Sequence, residues 1–461
     1  MTNVRIAHRY GGVPVVIARR IRCAKLQQRP SGTFDESLSR STCCRREAVA
    51  PLAVEVIERR KPVSFPAEVW IVSVTTFLSR SVGFLALYST VFYTSIGLSA
   101  AALSLALFAA GLAGVLGSLA GGWFAARFGS TDVLIAGSVL NVPLLFLLGS
   151  LSTEPVSAIV SASLSVAVTQ SFAGPAAALV TGSGYQGDTV TVVAFHRIFL
   201  SSGVTVAPIV VAVVGEQNFS TLFFLSSLGS LLTGVLLLSE RARLRSAEER
   251  ARTRESATEF DPRSATETGY DTFRTARLWA VVGVFATAMA IYAQSTSGTP
   301  LSLERISGGG QLYGVLIAVN SIFIIVCELP LSFVTSRIRW NYALGLGIFV
   351  TGLGLAVCGL GTSWTVCISG FVLFSLGEAI FLPQASAAIA KLSTSSENAR
   401  YQGFLSAAQS IGFAVGPGIG AFGVLHDLSL YWALVVQISF VTGAVAVVAG
   451  VDKNRSPDRV R

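Results

Sequence analysis

The sequence predicts an all-α polytopic membrane protein, with twelve transmembrane helices arranged as two six-helix pseudo-symmetric bundles. Three observations predict it. Of the 461 residues, 52% are apolar and only 13% charged, about half the charged share of an average soluble domain, and the mean hydropathy is +0.65. The charge is also segregated: residues 1–65 carry 13 of the 34 Lys+Arg, 240–277 carry nine and 452–461 carry four, which leaves eight for all the rest. Finally, landmarks in the first half recur in the second at an almost constant offset. So few charges cannot coat a soluble surface, which excludes a soluble enzyme, a nucleic-acid binder and a disordered regulator.

Each element follows in order. Residues 1–65 are Arg-rich, contain Pro and Ser and hold no spanning segment; they are expected to form a disordered basic cytoplasmic tail near anionic headgroups. Val13–Ala18 is too short for the apolar core of a signal peptide. A membrane helix needs about 20 mostly apolar residues. That ruler gives spans at 67–93, 99–126, 132–152, 155–181, 190–214 and 219–239, then at 278–300, 312–336, 341–360, 364–390, 401–425 and 430–450. The first bundle is therefore 66–239 and the second 278–450, joined by a charged cytoplasmic linker at 240–277 and followed by a tail at 451–461. The linker, with Arg241, Arg243, Arg245, Glu248, Glu249 and Arg250, reads as a solvated, partly helical tether. Inner loops and flanks hold Arg127, Arg197, Arg337, Arg339, Lys391 and Arg400, against Arg305 alone outside. This bias places both termini in the cytoplasm, and the expected location is the cell (plasma or inner) membrane. The six cysteines (Cys23, Cys43, Cys44, Cys327, Cys358, Cys367) form no CxxC pair and no zinc spacing, so neither disulfides nor metals are expected.

The repeat is explicit. Pro175 after Phe172-Ala-Gly answers Pro383 after Phe381-Leu, Gly203-x-x-x-Ala207-Pro208 answers Gly412-x-x-x-Gly416-Pro417, and Arg127 answers Arg337. Two parallel copies of a six-helix unit, related by an axis along the membrane normal, place a substrate site between them near the midplane.

These residues resemble the major facilitator superfamily over about 67–450. Gly412-x-x-x-Gly416-Pro417-x-x-Gly420 is similar to a motif of its drug–proton antiporters, in which small residues let backbones touch and proline bends the helix. Gly122, Arg127 and Gly129 match the superfamily signature between the second and third spans, whereas the usual gating aspartate is Ala126 here. Glu328-Leu-Pro330 and Leu376-Gly-Glu378, followed by Pro383, resemble the multidrug and sugar-efflux branch. The resemblance implies that spans 1, 4, 7 and 10 line a central cavity.

A charge deep in a membrane helix costs about 2.5–3.5 kcal/mol on insertion scales and is seldom idle. Arg80, Glu328 and Glu378 are such charges. Glu378 and Glu328 are the proton-coupling candidates, in that order, because Glu378 stands five residues before Pro383 where the first half has Gln170 before Pro175. Against this, Glu328 is also placed to pair with Arg337 or Arg339, and Arg80 to anchor on carbonyls or on a neighbouring acid. His196-Arg197 reads as the cytoplasmic flank of span 5. Arg80, Gln170, Tyr292, Gln294 and Asn320 are cavity or substrate candidates, with interhelical hydrogen bonding as the alternative. Gly122, Arg127, Gly129, Gly203, Pro208, Gly412, Gly416, Pro417 and Gly420 are gate or packing positions.

Gly308-Gly-Gly310 lacks the Lys-Ser/Thr of a phosphate loop, and no catalytic motif occurs, so the chain is not expected to be an enzyme or to hold a cofactor. The function expected is proton-coupled efflux of a small organic molecule, drug-like or sugar, by alternating access. The alternatives are proton-coupled uptake of a nutrient, or a scaffold or sensor that has lost transport. The expected partners are the substrate, protons and membrane lipids, with no nucleic acid, and the expected state is a monomer.

Overall fold

The computed structural model describes residues 7–10, 13–16, 64–150, 154–215, 218–259, 268–306 and 308–450. Residues 1–62 and 63–461 form two separate units. In the first, β1 (Ala7–Tyr10) pairs antiparallel with β2 (Val13–Val16), Tyr10 opposite Val13. This hairpin is a departure from the disordered tail expected over 1–65, and the remainder of that expectation lies outside the described residues. The sequence between the strands, Gly11-Gly12, is a two-residue hairpin signature.

The second unit is helical. Span 1 comprises α1 (Ala67–Ser81) and α2 (Phe84–Ser95). It is interrupted at Val82-Gly83, where Ser226 of span 6 donates to the Val82 carbonyl. Spans 2 and 3 are α3 (Ala100–Phe128) and α4 (Ser130–Ser150), and span 4 is α5 (Pro155–Gln170) with α6 (Ala173–Gly182). Spans 5 and 6 are α7 (Thr189–Val214) and α8 (Phe219–Ser239), and the linker forms α9 (Arg241–Glu259). Span 7 comprises α10 (Thr268–Tyr292), a short 3-10 turn and α11 (Gly298–Leu303). Spans 8 to 12 are α12 (Gly309–Thr335), α13 (Trp340–Leu360), α14 (Trp364–Leu392), α15 (Ser395–His426) and α16 (Leu428–Ala449). Among the described residues, 11 spans are long and apolar enough to cross a membrane as they stand. The twelfth is span 1, divided by its break.

The ends are written in the sequence. Asp188 caps α7 by accepting from Val190 N at 2.9 Å, Asp427 caps α16, and Thr394 with Glu397 forms a capping box at α15; each satisfies amides that lipid cannot. Gly129, the single residue between α3 and α4, has φ +98°, a conformation that glycine adopts without a Cβ penalty.

The second half packs around one continuous core that runs from Leu278 to Ala446. The first half has two cores. One, around Phe84, Phe92 and Phe223, lies far from the linker; the other, around Val72, Leu179 and Leu237, lies on the linker side. Leu329 of span 8 packs into the latter, so the halves interlock there. Spans 2 and 4 both meet span 11: Ser118 Oγ of span 2 is 3.0 Å from Ser406 Oγ, and Asn398 donates to Thr181 Oγ1 of span 4 at 2.8 Å.

The linker helix does more than tether. Glu248 accepts from Ser130 N at 2.6 Å and from Thr131 Oγ1 at 2.8 Å, placing a carboxylate at the positive end of α4. Asp132 pairs with Arg241 at 2.9 Å and with Arg245. That hydrogen-bonded ion pair raises the pKa of the Arg245 guanidinium.

Candidate functional site

Span 5 starts at the Asp188 cap, so Arg197 lies eight residues beyond Thr189, about 12 Å into the helix at 1.5 Å per residue. It is therefore not a flank, which corrects the sequence expectation. Glu378 stands 14 residues from either end of α14, about 21 Å from each. Glu328 stands seven residues before the end of α12 and two before Pro330. The three converge. Arg197 Nε is 2.6 Å from Glu328 Oε1, and Arg197 Nη2 is 3.2 Å from Glu378 Oε1. One guanidinium from the first half thereby holds two carboxylates from the second. Glu328 pairs with neither Arg337 nor Arg339, because its partner comes from the opposite bundle.

The two acids are held differently. Glu378 receives Asn320 Nδ2 at 2.9 Å and Tyr292 Oη at 3.3 Å besides Arg197. Glu328 is 0% exposed. Its contact with Arg197 lies off the Nε–H axis, and neither carboxylate oxygen receives a hydrogen bond among the described residues. Its charge is balanced by Coulomb attraction alone. Taking such charges out of water costs several kcal/mol each, which the pairing must offset.

A cavity of about 340 Å³ adjoins this triad. Arg80, His196, Arg197, Tyr292, Asn320 and Glu378 are on its wall, with Phe172, Leu200, Phe285, Leu382 and Phe413 as apolar surface. Arg80 and Glu378 thus line one cavity. His196 is 8% exposed, its Nδ1 3.3 Å from Ser73 Oγ. Arg80 has neither an ion pair nor a side-chain hydrogen bond among the described residues.

Two cavity candidates lie elsewhere. Gln170, at the last turn of α5, donates to Ser410 Oγ at 2.9 Å and ties the halves together. Gln294 is 2% exposed and is used up by Ala290 O, Gly416 O, Ser297 and Tyr431.

The small-residue positions are close contacts. A Cβ at Gly122 would fall 2.9 Å from both the Ala399 carbonyl oxygen and Gly403 Cα. One at Gly203 would fall 2.8 Å from Arg80 Cβ, and one at Gly412 would fall 2.8 Å from Met289 Cβ. Gly416 faces Ala293, and a Cβ at Gly420 would fall 2.6 Å from Ser297 Oγ. Pro208 lies inside α7 and is exposed, and the backbone of Pro417 is helical. Arg127 is exposed over the Trp123 and Phe128 rings, at 5.9 and 5.8 Å.

Comparison with known proteins agrees with this architecture. The chain is similar in fold to a proton:xylose symporter bound to 6-bromo-6-deoxy-D-glucose, at 13% identity and TM-score 0.59, covering 83% of this chain and 94% of that one. It is also similar to the human organic anion transporter MFSD10, at 15% identity and TM-score 0.60 over 83% and 100% of the two chains. A POT family transporter in complex with 5-aminolevulinic acid matches at 15% identity and TM-score 0.58, over 83% and 96%. No curated protein sequence matches the chain. The profile of the Major Facilitator Superfamily matches twice, over residues 69–309 and 299–460. With nearly all of both bundles covered, this multi-pass membrane protein belongs to the Major Facilitator Superfamily.

Proposed function

We propose that this chain is a proton-coupled secondary active transporter, moving a small organic molecule across the cell membrane by alternating access between its two halves. The observation that carries the reading is the Glu328–Arg197–Glu378 triad across the interface. Alternating access requires the halves to move apart where they now touch, so the pairing of Arg197 with Glu328 must loosen in every cycle. A proton on Glu328 removes that charge–charge attraction. Glu378 lines the cavity, receives Tyr292 and Asn320, and shares the coupling proton with Glu328 through their common partner Arg197. Of the two carboxylates, Glu328 is the one whose charge the protein compensates least, which reverses the order expected from sequence.

The Gly412–Gly420 stripe, packed on span 7, supports export by proton exchange. A second reading, uptake with a co-transported proton, is favoured by the site's charge count. Two carboxylates against Arg197 leave one negative charge, which a proton cancels, and Arg80 then remains unbalanced. With both termini placed in the cytoplasm, the linker side is the cytoplasmic side. The test is transport by purified protein in liposomes under an imposed pH gradient, against neutral, cationic and anionic solutes. Accumulation of at least one solute, abolished by a protonophore, is expected; no gradient-driven movement of any class would overturn the proposal.

A further inference from the structure

We infer that the central cavity takes a small organic anion with an apolar body, held at Arg80, and binds it together with the proton. The inference rests on the transport reading above and names the substrate class of the same site.

Arg80 lies on the cavity wall at the last turn of α1. The other arginine on the cavity wall, Arg197, is satisfied by two carboxylates. Arg80 has no such partner among the described residues and is partly buried on the cavity wall. Its place is fixed by backbone packing, since a Cβ at Gly203 would fall 2.8 Å from both Arg80 Cβ and the Phe77 carbonyl oxygen. A guanidinium held in position, facing a cavity and lacking an internal counter-ion, is completed by an anion from outside. It offers a forked donor set that matches a carboxylate. The rest of the wall is apolar and aromatic, with Phe172, Leu200, Phe285, Leu382 and Phe413, so the remainder of the ligand is hydrocarbon or an aromatic ring.

The charge count couples this anion to the proton. The titratable and charged groups around the site are Arg80, His196, Arg197, Tyr292, Glu328 and Glu378. With both acids ionised, Arg80 and the triad sum to zero, and an anion would make the site negative. With one proton on the triad the sum is +1, and the anion neutralises it. A neutral loaded site is enclosed at lowest cost when the two halves close around it, so anion and proton favour each other.

The test uses the purified full chain and isosteric pairs of probes: benzoate with benzamide, 3-phenylpropionate with 3-phenylpropionamide, and hexanoate with hexanamide. Calorimetric binding is measured from pH 8 to pH 6, where the carboxylates stay ionised. Carboxylates should bind about tenfold or more tightly than their amides, as a charge-assisted pair requires. Their affinity should rise on acidification. Arg80→Gln should abolish the preference, Arg80→Lys should retain part of it, and Glu328→Gln should bind carboxylates with a flat pH profile. Equal binding of acids and amides, binding of no carboxylate, or a preference that survives in Arg80→Gln overturns the anion assignment. An affinity that falls on acidification overturns joint binding. If the wild type meanwhile drives a neutral or cationic solute with a pH gradient, the transport reading stands while this inference fails.

Discussion

Replacing Arg197 by Gln tests the triad as a physical object. The substitution leaves Glu328 fully buried with no donor, and Glu378 with only Tyr292 and Asn320. Removing one partner of a buried ion pair costs about 3–5 kcal/mol, because the other charge remains uncompensated. That is about two to three and a half orders of magnitude in the folding equilibrium. The pair Arg243–Glu240 where α8 passes into α9, with the Arg243 side chain 56% exposed, provides the contrast, since exposed ion pairs contribute only about 0–1 kcal/mol. The assay is reversible denaturation of the purified protein in mixed micelles at pH 7.5 and pH 5.5. Arg197→Gln should lose stability at pH 7.5 while Arg243→Gln stays near wild type. Two treatments should each recover part of the loss by removing the orphaned charge: acidification, and the second change Glu328→Gln. A loss no larger than that of Arg243→Gln, or a deficit indifferent to both rescues, would refute the reasoning.

Gly416→Leu should insert and fold but transport poorly, because its side chain would displace Ala293; surface abundance and transport of the same sample separate the two effects. Glu248→Ala should cost about 1 kcal/mol in denaturation by uncapping α4 at Ser130 and Thr131. Cysteine labelling in intact cells should find the linker at 240–277 shielded and Gly308–Gly310 accessible; labelling of the linker from outside would invert the assignment.

The bundle was legible because lipid imposes one constraint on every span, and apolar length reveals it wherever a helix runs unbroken. The break at Val82-Gly83 was not, since it depends on Ser226 taking a carbonyl from a distant span. Arg197 was read as a flank because it was counted with the loop arginines. The signal that places it correctly is Asp188, whose cap fixes the helix start and hence the depth of every residue after it. Withdrawing Arg197 leaves five inner arginines and lysines against one, so the orientation does not depend on it. The repeat misled at one point. Pro175 falls in the first turn of α6, where span 4 restarts, whereas Pro383 lies inside the unbroken α14. The same sequence spacing therefore aims Gln170 at Ser410 and Glu378 at the cavity. The Glu328–Arg197 pairing joins residues of opposite halves, which no local pattern encodes.

The most direct test of the triad as the coupling device is pH-driven solute accumulation in liposomes by wild type, Glu328→Gln and Glu378→Gln, with solute exchange in the absence of a gradient as the control for folding. The account predicts that both variants keep exchange and lose accumulation, because each fixes the charge that the proton would otherwise change. Accumulation at the wild-type level in both variants would contradict it.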